Sequence, residues 1–207
     1  MEKLLQGIIN FRKNDFEDHK ELFGKIKSSQ KPHTLFVGCS DSRLVPNLIT
    51  QTLPGELFVV RNIANIVPPY INTQEHLATT SAVEYAVNVL EVENIIICGH
   101  SNCGGCQAMY STDEVLNKIP HTKKWLELAV NVKNKVLSEL KQAENGEREW
   151  MTEQMNVVEQ VKHLLSYPFI KKKYQRHELA IDGWYYIIET GEVFIYNKQN
   201  GEFELAN

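Results

Sequence analysis

The chain has 207 residues, of which 43% are hydrophobic, and this length and composition indicate one sizeable core. Lys and Arg total 22 against 26 for Asp and Glu, so the net charge of −4 excludes the basic excess that nucleic-acid binding needs. No apolar run approaches the roughly 18 to 20 residues of a membrane span, and the first residues lack the features of a signal peptide. We therefore expect a cytoplasmic protein without a membrane partner, and the four cysteines fit a reducing compartment better than a disulfide framework.

Helical spacing of apolar residues marks the N-terminal stretch. The pattern predicts helices from Met1 to about Asn10 and from Asp15 to Ser28, with Asp15 as an N-cap. These helices precede the first strand and have an apolar face to bury. We treat residues 1–28 as the helical arm of a single domain that spans residues 1–207.

Three short apolar runs predict strands of the kind that a parallel sheet buries on both faces. They are His33–Gly38, Glu56–Arg61 and Asn94–Cys98. Between the second and the third strand, a helix is predicted from Thr73, its N-cap, to about Leu90.

Helices and a strand pair are predicted for the second half of the chain. A short helix spans about Asn102–Tyr110, and two long helices span about His121–Ala143 and Glu147–Ser166. Glu178–Ile188 and Val193–Tyr196 predict two strands joined by a hairpin. The alternation of helices and strands predicts an α/β fold: a mostly parallel central sheet with an antiparallel edge strand, flanking helices and the N-terminal helical arm.

Thiol and imidazole groups follow two of the predicted strands. Cys39 follows the first strand, and His100 and Cys103 follow the third. Because open α/β sheets bind ligands at the carboxyl ends of their strands, these side chains converge if the two strands are neighbours. Thiolate and imidazole are preferred ligands of zinc, and three protein ligands leave the fourth tetrahedral position open, as in catalytic sites. We expect one zinc per chain, with Asp41 beside the open position or in it.

The sequence around these residues resembles that of a known family, the β-class carbonic anhydrases. The resemblance lies in C-S-D-S-R at 39–43, E-L-F-V-V-R-N-I-A-N at 56–65, S-A-V-E-Y-A-V at 81–87 and G-H-S-N-C-G-G at 99–105. It covers roughly residues 30–110 strongly and extends more weakly to Gly191 through D-G-W-Y-Y. It implies an enzyme, a carbonate dehydratase, that hydrates carbon dioxide reversibly to bicarbonate and a proton by attack of zinc-bound hydroxide.

The resemblance also implies roles for single residues. Arg43 holds Asp41 off the zinc when the enzyme is active, and Asp41 accepts a hydrogen bond from the bound hydroxide. The positions that match the substrate pocket are Gln30, Phe58, Ile63 and Tyr85, some of which act across a dimer interface. In the family, N-terminal helices pack on a partner subunit, so we expect a homodimer or a dimer of dimers.

A second pocket decides whether Asp41 can move onto the zinc as a fourth ligand. In one branch of the family, a tryptophan, an arginine and a tyrosine hold bicarbonate there and close the site. The matching arginine and tyrosine are Arg61 and Tyr186, but Phe36 stands at the tryptophan position and has no N–H to donate to an anion. We therefore predict an open site at neutral pH, with Asp41 paired to Arg43.

Alternatives stay open at this point. The same site would serve a hydrolase of a sulfur analogue of carbon dioxide, and a zinc-sensing or zinc-stabilised module would result if Asp41 closed the site permanently. Cys106 forms C-x-x-C with Cys103, which is typical of a redox dithiol. Because His100 lies three residues before Cys103, we favour Cys106 as a buried residue that binds no metal. Comparing the two substrates and testing for exchangeable water on the metal separates the other readings.

Overall fold

The structure is a computed structural model that describes residues 1–71, 76–140 and 145–206. Its strands are β1 (Thr34–Cys39), β2 (Leu57–Asn62), β3 (Asn94–His100), β4 (Ala180–Tyr186), β5 (Val193–Asn197) and β6 (Glu202–Leu205). They form one sheet in the order β2-β1-β3-β4-β5-β6. The first four strands of this order pair in parallel, and the last two pairings, β4 with β5 and β5 with β6, are antiparallel.

Helices surround the sheet. They are α1 (Glu2–Lys13), α2 (Asp15–Asp18), α3 (Lys20–Ile26), α4 (Pro46–Thr50), α5 (Leu77–Asn88), α6 (Gly104–Ala108), α7 (Asp113–Leu116), α8 (Pro120–Leu126), α9 (Val130–Glu139), α10 (Asn145–Leu165) and α11 (Pro168–Gln175). Two 3-10 turns, Ile63–Asn65 and Glu127–Ala129, complete the elements that position the site.

Both faces of the sheet are buried, which explains why the inner strands are continuous apolar runs. One face of β1 and β3 packs with α5, α10 and α11 in a cluster that includes Leu35, Val37, Ile95, Ile97, Val83, Val157 and Ile170. The other face packs with α8 and α9 in a cluster that includes Phe36, Ile96, Cys98, Leu126, Val132 and Val136. All six residues of β1 are buried, as expected for a strand between two layers of helices.

The helical arm packs mainly on itself. None of the residues of α1, α2 and α3, which are all described, is buried. Phe11, Phe16 and Phe23 hold the arm together, with ring centroids 5.4–6.4 Å apart. Asp15 as an N-cap is wrong: Asn14 holds that position, Asp15 is the first residue of α2, and no side chain caps the helix.

The fold class predicted from the sequence is confirmed, and the differences concern individual elements. The antiparallel edge has two strands, because the four-residue β6 adds to β5; β6, α7 and α11 were not predicted. The long helix predicted over His121–Ala143 is divided between α8 and α9 by a 3-10 turn. Thr73, the predicted cap of α5, lies outside the described residues. Among the described helices, none combines the length and apolar character that a membrane crossing requires.

Candidate metal centre

Two thiols and an imidazole meet at the carboxyl ends of two neighbouring strands. Cys39 is the last residue of β1, His100 is the last residue of β3, and Cys103 precedes α6 as its N-cap residue. β1 and β3 pair directly, which is the neighbourhood that convergence requires. The donor atoms of the three residues all lie within 4.8 Å of one another, and the two Sγ atoms are 3.9 Å apart.

A tight turn brings Cys103 back to the end of its own strand. Asn102 has a φ of 55°, in the left-handed region where asparagine is enriched among residues with a side chain. The turn lets the chain leave β3 at His100 and enter α6 at Gly104. Three residues therefore suffice to place an imidazole and a thiol on the same side.

The donor set fits zinc. Nδ1 of His100 donates to the carbonyl of Ser101 at 2.9 Å, which leaves the lone pair on Nε2. That Nε2 is buried and has no hydrogen-bond partner among the described residues. Two sulfurs at the usual Zn–S length of about 2.3 Å and a tetrahedral angle are roughly 3.8 Å apart, close to the 3.9 Å observed between Cys39 and Cys103.

Neighbouring thiols and burial raise the pKa of both cysteines of the cluster. The hydrogen bond with the Cys103 thiol and burial raise the pKa of Cys39 to about 12. The contact with the Cys106 thiol likewise raises the pKa of Cys103. A metal must displace the thiol protons to bind, so its affinity is linked to pH.

Asp41 and Arg43 form a two-armed ion pair beside the three donor atoms. Arg43 Nε donates to Asp41 Oδ1 at 2.9 Å and an Arg43 terminal nitrogen donates to Oδ2 at 2.7 Å. These bonds hold the pKa of Asp41 well below its usual range, so the carboxylate is ionised. Asp41 Oδ2 lies 3.9 Å from His100 Nε2. The carboxylate therefore stands next to the metal position and is turned towards the arginine.

Two arginines also hold the backbone around the site. Arg43 donates to the carbonyl of Asn102 at 3.0 Å, and Arg61 donates to the carbonyls of Cys39 and Asp41 at 3.0 and 2.5 Å. These bonds tie the end of β1, the loop after it and the turn after β3 to one another. The loop that carries Asp41 is thus fixed by cationic side chains on both of its sides.

The four residues expected in the substrate pocket lie on four separate segments of the chain. Gln30 is exposed in the segment between α3 and β1. Phe58 and Tyr85 pack on each other with ring centroids 6.1 Å apart. Ile63 lies against α6. If Gly105 carried a Cβ atom, that atom would be 2.9 Å from Ile63 Cγ2. Of the four, Ile63 is therefore next to the helix that follows Cys103.

The other two cysteines are buried, and neither belongs to the three-residue cluster. Cys98 lies inside β3 and is fully buried. Cys106 is 2% exposed in α6, and its side chain contacts the thiol of Cys103. The cluster able to hold a metal comprises only Cys39, His100 and Cys103 within the described ranges.

Sequence reasoning missed Glu153, a buried acid in α10. Its Oε1 accepts the backbone N–H of Cys103 at 2.7 Å, and its Oε2 accepts the hydroxyl of Tyr185 at 2.6 Å. Burial raises the pKa of Glu153. The available signal was weak, because an acidic residue in a helix with polar neighbours predicts a solvent-facing position.

Comparisons with known proteins agree with this site and fold. The model of the carbonic anhydrase family matches residues 34–193. A carbonic anhydrase of Helicobacter pylori is 44% identical over 96% of this chain and 91% of its own length. The structure of the β-carbonic anhydrase CcaA superposes with a TM-score of 0.95 at 36% identity, covering 100% of this chain and 99% of the other. A tetrameric β-carbonic anhydrase of Sordaria macrospora gives 0.82 at 31% identity, covering 93% and 94%.

The chain belongs to the β-carbonic anhydrase family, whose general reaction is the hydration of carbon dioxide. The prediction that it is an enzyme of this class is confirmed.

Proposed function

We propose that this enzyme hydrates carbon dioxide reversibly to bicarbonate and a proton, with one zinc per chain bound by Cys39, His100 and Cys103. The observation that carries the proposal is the convergence of two thiols and an unpartnered, buried imidazole nitrogen within 4.8 Å. Cys39, His100 and Cys103 would hold the ion and leave it accessible to solvent. When bound, zinc lowers the pKa of water to the neutral range and so supplies a nucleophile at pH 7.

Asp41 orients the nucleophile, and Arg43 positions Asp41. The ionised carboxylate only accepts hydrogen bonds, so it takes the O–H of the attacking water species and turns an oxygen lone pair towards the substrate carbon. Arg43 engages both carboxylate oxygens and keeps Asp41 3.9 Å from His100 Nε2. The aspartate therefore stays beside the open metal position, although without Arg43 it is near enough to become a fourth ligand.

The substrate pocket is completed by a second copy of the chain. Carbon dioxide is apolar, and we assign its contacts to Gln30, Phe58, Ile63 and Tyr85. Ile63 is 40% exposed and Tyr85 is 45% exposed, which leaves apolar surface that a second copy can cover. The apolar side of α1 is also uncovered, and its Leu4 is 67% exposed. In a homodimer or a dimer of dimers, a second copy would cover both the pocket residues and the apolar side of α1. Measuring the mass of the protein in solution tests this oligomeric state.

The cytoplasm is the compartment that suits this site. All four cysteines are free, and the Cys39 and Cys103 sulfurs are close enough that oxidation would compete with metal binding. A reducing environment keeps both thiols available as ligands.

Zinc analysis combined with a carbon dioxide hydration assay on the purified protein tests the proposal. We expect about one zinc per chain and loss of both metal and turnover in Cys103→Ser. Full zinc and full turnover in that variant would overturn the ligand assignment. Bound zinc without turnover would indicate a non-catalytic module, and turnover of carbon disulfide in place of carbon dioxide would indicate the sulfur hydrolase.

A further inference from the structure

The turn that carries Cys103 is held from the protein interior by a buried carboxylate. Glu153 is 2% exposed and Tyr185 is 1% exposed, so both are shielded from bulk solvent. The two carboxylate oxygens accept the Cys103 N–H at 2.7 Å and the Tyr185 hydroxyl at 2.6 Å. A buried carboxylate is tolerated where its oxygens are satisfied in this way, since an unpaired one is costly to remove from water.

The turn itself is shaped to receive an anion. Asn102 is left-handed, with a φ of 55°, and its backbone N–H lies near the Glu153 carboxylate, where it favours the ionised form. A left-handed residue in a turn allows successive backbone N–H groups to converge on one negative group. The N–H of Cys103 thus donates to the Glu153 carboxylate, and the N–H of Asn102 lies beside it.

The opposite side of the same turn is held by the site. Arg43 donates to the carbonyl of Asn102 at 3.0 Å while it binds Asp41. The peptide groups around Asn102 are therefore fixed from two directions, by Glu153 inside and by Arg43 outside. Since the Sγ of Cys103 is three covalent bonds from the N–H that Glu153 holds, fixing that N–H restricts where the sulfur can lie.

We propose that Glu153 is a positioning residue of the metal centre, which, oriented by Tyr185, sets the place of the Cys103 sulfur. This rests on the proposed function in taking Cys103 as a metal ligand. Neither Glu153 nor Tyr185 belongs to the group of converging donor atoms, so both act through the turn. Residues that orient metal ligands in this way are typically worth about 10- to 100-fold in metal affinity.

The test compares Glu153→Leu, Glu153→Gln and Tyr185→Phe. Leucine leaves the Cys103 N–H without an acceptor, whereas the glutamine oxygen can accept it and its amide can donate to Tyr185. Zinc affinity is measured by competition with a chelator. The cobalt-substituted proteins are compared by their thiolate-to-cobalt absorption, which reports the metal–sulfur geometry and does not depend on turnover.

Gln160→Leu is the matched control. Gln160 lies in the same helix, is also fully buried, and accepts the backbone N–H of Val67 at 2.9 Å, so it anchors a different segment. We expect the control to lose thermal stability but to keep the affinity and the cobalt spectrum. Glu153→Leu should bind zinc about 10- to 100-fold more weakly with a changed spectrum, Glu153→Gln should stay near wild type, and Tyr185→Phe should fall between.

A folded Glu153→Leu protein with wild-type affinity and spectrum would overturn the proposal. So would a Gln160→Leu protein that is changed as much, since the effect would then be general destabilisation. If Glu153→Leu does not fold, Tyr185→Phe decides, and an unchanged affinity and spectrum in that variant overturns the proposal. If the wild-type protein binds no metal, the proposed function itself is refuted. If the wild-type protein is active and Glu153→Leu keeps its metal affinity and spectrum, only the role of Glu153 is refuted.

Discussion

The two glycines that follow Cys103 occupy the first turn of α6 but differ in the space around them. A Cβ on Gly105 would lie 2.9 Å from Ala64 Cβ, 2.9 Å from Ile63 Cγ2 and 3.0 Å from the Ala64 backbone nitrogen. A Cβ on Gly104 would meet nothing within 4 Å among the residues that the structure describes. We therefore expect Gly105→Ala to destabilise the protein and Gly104→Ala to leave its stability unchanged or slightly raised.

The size of the effect follows from how firmly Ala64 is held. Its backbone is left-handed with a φ of 59°, it is fully buried, and its carbonyl accepts the side-chain amide of Asn156 at 2.8 Å. No side-chain rotation can relieve contacts with a backbone nitrogen and a methyl group. Overpacking of this kind costs about 1–3 kcal/mol, and alanine in place of a helical glycine returns about 0.5–1 kcal/mol.

The expected net loss for Gly105→Ala is up to about 2.5 kcal/mol in the free energy of unfolding, or up to roughly 10 °C in Tm. Gly104→Ala should change the free energy by no more than about 1 kcal/mol, in the stabilising direction. Denaturant titrations of both variants measure the difference. Because the clash displaces Ile63, turnover of Gly105→Ala should also fall. Equal denaturation midpoints for the two variants would refute the argument from close packing.

Three further predictions concern the site. Arg43→Met should lower turnover by freeing Asp41, and Arg43→Lys, which keeps the charge but not the paired hydrogen bonds, should lie between it and wild type; equal stopped-flow rates would contradict this. Zinc affinity should weaken as pH falls, since the pKa of Cys39 is raised to about 12 without metal and both thiols must lose protons on binding. The change, followed by chelator competition, should reach about 100-fold per pH unit when two protons are displaced. A flat profile would argue against thiolate ligands. Cys106→Ala should keep zinc and most turnover, as measured by metal analysis and the hydration assay. If the variant instead lost activity together with a dithiol redox signal, a redox role for Cys103 and Cys106 would be favoured.

Local patterns in the sequence predicted much of the fold. Continuous apolar runs predicted β1, β2 and β3 to within one or two residues. For β1 and β3 the reason is that strands buried on both faces need apolar side chains at every position. β2 is an edge strand and is only partly buried. The same reasoning placed Cys39 and His100 at the ends of two strands, where parallel sheets collect their ligands. The arrangement required only that the strands be neighbours, and β1 pairs directly with β3.

The supporting parts of the site depended on contacts between distant segments. Glu153 is separated from Cys103 by 50 positions, and nothing in the spacing around either residue links them. Thr152, Asn156 and Gln160 recur every four residues in α10, a pattern that by itself predicts a polar face in solvent. In the structure they are buried and bond to Tyr110, Ala64 and Val67.

Sequence spacing determines which residues share a face of a helix or the end of a strand, since that depends only on the local backbone geometry. It does not determine what that face meets. A polar helix face is equally consistent with water and with the unpaired backbone groups of a folded segment, because both satisfy its hydrogen bonds. Only the tertiary packing of α10 over the sheet decided that Glu153 would meet the Cys103 turn and not solvent.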